Sequence, residues 1–462
     1  MKPTPAVAHT RPVFQWPLLS LSLSMLLAAL GTSIVNVGLP TLAEAFDVSF
    51  QRVQWVVIAY LLAITALIVS VGRLGDMLGR RRLLLGGIAL FTLGSALCGL
   101  APSLGLLIGA RALQGVGAAL MMALTMALVG EAVPKARTGS AMGLLGTMSA
   151  IGTALGPSLG GLLIDGFGWR AMFLIIVPMG LLTWLLAYRY LPAESPKPTF
   201  ARGGFDLPGT VLLALTLGAY ALAMTLGRGT FGSLNGALLL GAGMGLGLFI
   251  HVENRSASPL IRLGMMRDRN LSASLIMSVL VTSVMMATLV VGPFYLAQGL
   301  GLEALQVGLV LSVGPMVAAL TGVPAGRLVD RFGARRITVA GLVAMVLGCL
   351  GLSTLPLAWG IVGYVAPMMV VTLGYALFQT ANNTAVMAQV VQDQRGVTAG
   401  LLTLSRNLGL VSGASVLGAV FALGTGAALH PQAIADGTQL TFIVALALVA
   451  VALVIALVQR SR

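Results

Sequence analysis

Long apolar runs, each broken by a few charged or turn-forming residues, recur from one end of the chain to the other. A helix needs about 20 mainly apolar residues to cross the hydrocarbon of a bilayer. Runs of that length at 17–40, 53–72, 83–101, 104–130, 139–164 and 171–190 form a first group of six. A pair at 208–227 and 232–252 follows, and 271–298, 305–326, 337–356, 361–390, 397–424 and 439–459 make a second six. The pattern predicts an all-α polytopic membrane protein with fourteen transmembrane helices. Residues 1–190 form an N-terminal six-helix bundle, 191–270 a linker carrying two additional helices, and 271–462 a C-terminal six-helix bundle.

Charge placement fixes the orientation expected of these spans. With both termini in the cytoplasm, 22 of the 27 Lys and Arg fall in cytoplasmic segments. Only Arg52, Arg170 and Arg228 fall outside, and Arg111 and Arg406 lie within spans. That is the positive-inside asymmetry, and one missed or extra helix would invert everything after it. The net charge of +14 is therefore loop decoration and not a nucleic-acid surface. With 58% hydrophobic and 9% charged residues, the chain must face lipid or other helices over most of its surface. No cleavable leader is evident, and the first helix reads as an uncleaved anchor.

Chemistry other than transport finds little support. Cys98 and Cys349 lie far apart in apolar runs and read as packed thiols, and the three histidines are not spaced as metal ligands. No Gly-x-x-x-x-Gly-Lys-Ser/Thr stretch occurs, so no ATP-hydrolysing module is expected. No nucleophile–base set appears, and no cofactor or metal is expected; an enzyme is the weakest reading.

The most specific feature is a repeat. Gly72-Arg-Leu-Gly-Asp76-Met-Leu-Gly79-Arg80-Arg81-Arg82 stands after the second span, and Gly326-Arg-Leu-Val-Asp330-Arg-Phe-Gly333-Ala-Arg335-Arg336 after the second span of the later six. Seven positions match at one constant offset, which makes the two halves parallel structural repeats. The glycines at both ends of each stretch suit a tight reversal and close helix approach. The aspartate suits a helix start, and the arginines a carboxylate, a carbonyl or lipid phosphate.

This Gly-x-Leu-x-Asp-x-x-Gly-Arg-Arg form resembles the signature loop of the major facilitator superfamily. The fifth span, with Gly152, Gly156, Pro157, Gly160 and Gly161, is similar to the Gly-Pro motif of its antiporter branches. The fourth span, with Arg111, Gln114, Gly115 and Gly117, resembles the branch motif that carries a membrane-buried arginine. Six plus two plus six spans resemble the fourteen-helix drug:proton antiporters. The resemblance implies alternating access in the cytoplasmic (inner) membrane of a bacterium, with protons as coupling ion and a small molecule as substrate. A monomer is expected. Gly72, Asp76, Gly79, Arg80, Arg81, Asp330, Gly333 and Arg335, with Gly152, Gly156, Pro157 and Gly160, would be gating elements. The glycine stripe also has a plain reading as close helix packing.

Family architecture also implies a central cavity lined by four of the spans. Its candidate lining is Thr32 and Asn36; Arg111, Gln114, Met121 and Thr125; Ser278, Thr282 and Tyr295; and Tyr375, Gln379, Asn382 and Asn383. Each of these residues has interhelical hydrogen bonding as its alternative role. Arg111 is expected to serve coupling or substrate, or else to bond backbone carbonyls. Arg406, nearer a span end, is expected to snorkel as readily as to function.

Related antiporters often carry an acid in the first helix, where this chain has Gly31. Placing all 13 acids outside the spans leaves none in mid-membrane, so Glu131 and Asp165 are the candidate protonation sites. A cavity without a carboxylate should favour neutral or anionic ligands over dicationic ones. The leading reading is efflux of amphipathic compounds. A dedicated carrier of one neutral or anionic metabolite, and a non-transporting sensor or lipid-handling scaffold, stand as alternatives.

Overall fold

A computed structural model describes residues 16–132, 138–192, 206–226, 232–256, 263–354, 357–388, 395–426 and 430–459. The side chains of Arg73, Asp76 and Glu131 lie outside that description. Among the described residues, 14 helices are long and apolar enough to cross a membrane. In lipid every backbone N–H and C=O must be satisfied within the segment, so helices are the form these apolar runs can take.

The first six are α1 (Trp16–Val37), α2 (Trp55–Leu78), α3 (Arg80–Leu100), α4 (Leu104–Ala132), α5 (Thr138–Phe167) and α6 (Ile176–Tyr190). The central pair is α7 (Leu207–Thr225) and α8 (Ser233–Arg255). The last six are α9 (Arg269–Phe294), α10 (Ala304–Phe332), α11 (Ala334–Ser353), α12 (Gly360–Ala388), α13 (Arg395–Ser412) and α14 (Pro431–Val458). A π turn, Tyr295–Gly299, prolongs α9. Another, Gly413–Leu417, carries α13 on into the helical stretch Gly418–Thr425.

The two sets of six pack by one scheme. In the first, α1 lies on α5 and α6, α4 on α2 and α3, and α3 on α6. In the second, α9 lies on α13 and α14, α12 on α10 and α11, and α11 on α14. The sets meet where α5 packs on α10 and α2 on α13. Small residues permit these approaches: a Cβ on Gly152 would meet Ala29 at 3.0 Å, and one on Gly409 would collide with Thr282.

The central pair is fastened to α2. Ser70 and Thr210 share a hydrogen bond of 2.8 Å, and Trp55 Nε1 donates to Thr225 at 3.0 Å. These two contacts fix α7 antiparallel to α2 in one register. Asp206 starts α7 by accepting from Gly209 N at 2.8 Å, and Asp268 starts α9 by accepting from Asn270 N at 2.8 Å.

Two expectations need correction. The second span does not end at 72 but runs on to Leu78, and the tenth runs on to Phe332, so most of each repeated motif is helix and not loop. Gly72 and Gly326 therefore make no reversal, and nothing approaches where their Cβ would stand. The reversal belongs to the second glycine of each motif. Gly79 has φ 97° and Gly333 φ 85°, values that strain any side-chain-bearing residue.

Candidate functional site

Arg111 is completely enclosed. Its Nε donates to Val56 O at 3.0 Å, and its Nη1 donates to Gly31 O at 3.1 Å and to Gln114 Oε1. The guanidinium lies over the Tyr60 ring, 4.0 Å from its centroid. Gln114 passes the network on, donating to Ser95 Oγ at 2.7 Å. Thr32 Oγ1 lies 3.2 Å from the Tyr60 hydroxyl and 2.9 Å from Ala28 O. A charge inside a membrane must find partners, and here α1, α2 and α4 supply carbonyls, an amide and an aromatic face. Nη2 is left without a partner among the described residues.

The same knot explains Gly31. A Cβ there would stand 2.7 Å from Cζ of the buried Phe91 ring, so an acidic side chain has no room. The backbone carbonyl of Gly31 takes one of the arginine's hydrogen bonds in its place.

The candidate lining divides by exposure. Thr32, Tyr375, Gln379 and Asn383 are half-buried, the last three on one face of α12. Gln379 Nε2 lies 3.4 Å from Asn383 Oδ1, and Gln379 Oε1 has no partner among the described residues. Asn36, Met121, Thr125, Ser278, Thr282, Tyr295 and Asn382 are buried. Asn382 donates to Ser274 O at 3.3 Å, Thr282 to Ser278 O at 2.6 Å, and Tyr295 stacks on Tyr364 at 5.7 Å. Arg406 is half-buried on α13, beside Tyr375.

Around the repeated motif, two arginines act alike. Arg81 Nη2 donates to Tyr188 O at 2.6 Å, near the C-terminal end of α6. Arg335 Nη2 donates to Leu457 O at 3.1 Å, near the C-terminal end of α14. Helix C-termini expose unpaired carbonyls and partial negative charge, so each arginine caps the last helix of its own set. Arg80 opens α3, and Asp330 is exposed. On α5, a Cβ on Gly156 would collide with Ser33 of α1, and one on Gly160 would meet Val37 at 2.7 Å. Pro157 lies inside α5, its carbonyl against Gly308 of α10. Asp165 is exposed, and Glu131 lies on α4 with its side chain outside the described residues.

One element escaped sequence reading. Phe50 packs edge-on against Phe294 at 4.8 Å and Phe421 at 4.9 Å. These rings come from the short helix before α2, the end of α9 and the far stretch of α13, and all three are buried. The cluster thus joins the two sets of six at the end remote from the repeated motifs. Gln54 lies against Gly418 beside it, fully buried, with neither end of its amide partnered among the described residues. Residues 50, 294 and 421 share no motif, and the lack of long-range pairing information hid the cluster.

Comparison with known proteins agrees with this arrangement. The family model of the Major Facilitator Superfamily matches residues 21–414. The chain is 31% identical over 408 residues to the riboflavin transporter RibZ of Clostridioides difficile, covering 88% of each protein. It is 34% identical over 436 residues to the multidrug resistance protein Stp of Mycobacterium tuberculosis, covering 91% of this chain and 79% of that one. In structure it is similar to a bacterial homolog of the human lysosomal transporter Spinster in an inward-facing and occupied conformation. There the TM-score is 0.74 at 14% identity, over 97% of each chain.

Proposed function

The chain belongs to the Major Facilitator Superfamily, a membrane-embedded transporter of small molecules, and from that premise we propose that it exports amphipathic compounds by alternating access, in exchange for protons. The observation that carries the proposal is the pairing of a packed aromatic cluster at one end with half-exposed polar side chains within the spans. The Phe50–Phe294–Phe421 cluster joins the two sets at one end, while Tyr375, Gln379 and Asn383 of α12 and Arg406 of α13 stay half-exposed. A sealed outer end and a reachable interior are what an exporter needs when it loads from the cytoplasm. On this reading residues 1–190 and 271–462 are the two rocking units, 191–270 the extra hairpin, and both termini face the cytoplasm of a bacterium. The Arg81 and Arg335 caps, the Asp76 and Asp330 motifs and the α1–α5 glycine contact would hold each unit rigid as it rocks.

Among the described acids only Asp206 and Glu253 are buried, both at one end of the α7–α8 pair and outside the two sets of six. Asp165 is exposed at the end of α5, and the other candidate, Glu131, lies toward the end of α4. Protons would therefore bind near a membrane face, with the ligand and proton sites apart. The likeness to a riboflavin transporter favours one second reading, a dedicated carrier of a single metabolite. Reconstitution into liposomes with an imposed pH gradient separates the two. A broad exporter moves several unrelated amphipaths, and a dedicated carrier moves one. Flux of no cationic, neutral or anionic compound would refute both.

A further inference from the structure

Two arginines, Arg111 and Arg406, lie within the apolar runs of the sequence, and the structure divides their duties. Arg111 is sealed among carbonyls of its own bundle and presents no face to a guest. Arg406 is its opposite: half-exposed, with no hydrogen bond or ion pair to any residue among those described. It stands 11 residues into α13, about 16 Å along the helix from the first residue.

The surroundings have one chemical character. Ala399, Thr403, Arg406 and Leu410 are the half-exposed positions on one face of α13, at i, i+4, i+7 and i+11. Helix α12 contacts α13, and Tyr375 of α12 lies beside Arg406. Gln379 and Asn383 follow Tyr375 on the same face of α12, one and two turns further on. Phenol and amide groups can also donate to an anion, less strongly than a guanidinium does. Among the described residues no acid balances them: every acid is exposed, except Asp206 and Glu253 at one end of the α7–α8 pair. A guanidinium in a membrane span without a counter-ion is costly, and a ligand that brings the counter-ion recovers that cost.

We propose that Arg406, with Tyr375 beside it, recognises the head group of the transported compound, and that this head group is a monoanion of the carboxylate class on an apolar body. The planar fork of Arg406 matches the two oxygens of a carboxylate. This assignment rests on the transport reading above, and it names the ligand class that reading leaves open.

The test uses three probes of one shape on the purified protein: 2-naphthoate, 2-naphthamide and 2-naphthylmethylammonium. Binding is read by ligand-induced thermal stabilisation and by gradient-driven flux in proteoliposomes. The wild type should bind the carboxylate best and the ammonium worst. Arg406→Gln should weaken naphthoate roughly tenfold or more and leave naphthamide within about twofold. Arg406→Lys keeps the charge without the fork, so it should retain part of the preference. Should Arg406→Gln fail to fold, the Lys variant decides, by a reduced carboxylate-to-amide ratio. Equal binding of the three probes by the wild type, or an equal loss of all three in either variant, overturns the assignment while flux persists. Absence of flux for every probe overturns the transport reading instead, and the binding ratio still decides on Arg406.

Discussion

Arg111 sits where a charge is tolerable only because every neighbour is arranged for it. Two carbonyls, one amide oxygen and the Tyr60 ring surround it, and Gly31 and Val56 come from helices other than its own. Removing the side chain leaves a cavity and strands Gln114, a combined cost on the order of 3–5 kcal/mol. Arg111→Ala should abolish gradient-driven flux and lower thermal stability in detergent, while the protein still elutes as a folded species. Flux at the wild-type level would contradict the role given to the knot. The buried arginine was legible in the sequence because a cation in an apolar run is conspicuous. Its sealed state was not, since that depends on carbonyls of Gly31 and Val56 that no side-chain pattern encodes. Gly31 reads as a missing acid in the sequence; in the structure it is the space Phe91 needs and the carbonyl Arg111 needs.

At the scale of elements, fourteen helices followed from apolar run length alone, because in lipid the backbone has so few choices. Where spans end was less legible. The second and tenth helices run past Gly72 and Gly326 because a lone glycine does not stop a helix, whereas Gly79 and Gly333 adopt positive φ and do. The aromatic plug is the element with the clearest mechanical consequence. Gln54 carries an unpartnered amide into it, which opposes closure by about 1–3 kcal/mol. Gln54→Leu should therefore favour the sealed state and slow turnover several-fold without weakening ligand binding. A cysteine placed at Ser49 should then react more slowly with an impermeant thiol reagent added from outside. Faster labelling in the Leu variant would refute the assignment.

At the scale of the whole molecule, two sets of six helices with one packing scheme meet along α5–α10 and α2–α13. The α7–α8 pair is fastened to α2 at Ser70–Thr210 and Trp55–Thr225, and α7 also lies against the π turn and far stretch of α13. It therefore spans the second of those seams, and any rocking of the halves must carry it along. The repeated motif made the two halves legible in the sequence, but nothing in it revealed that the extra pair bridges them. Alternating access coupled to protons is the central claim, and everted membrane vesicles test it most directly. With the vesicle interior acidified, uptake of at least one of 2-naphthoate, 2-naphthamide and 2-naphthylmethylammonium should exceed that of vesicles lacking the protein and collapse when a protonophore is added. Uptake that is absent, or that persists unchanged after the gradient is dissipated, would contradict the account.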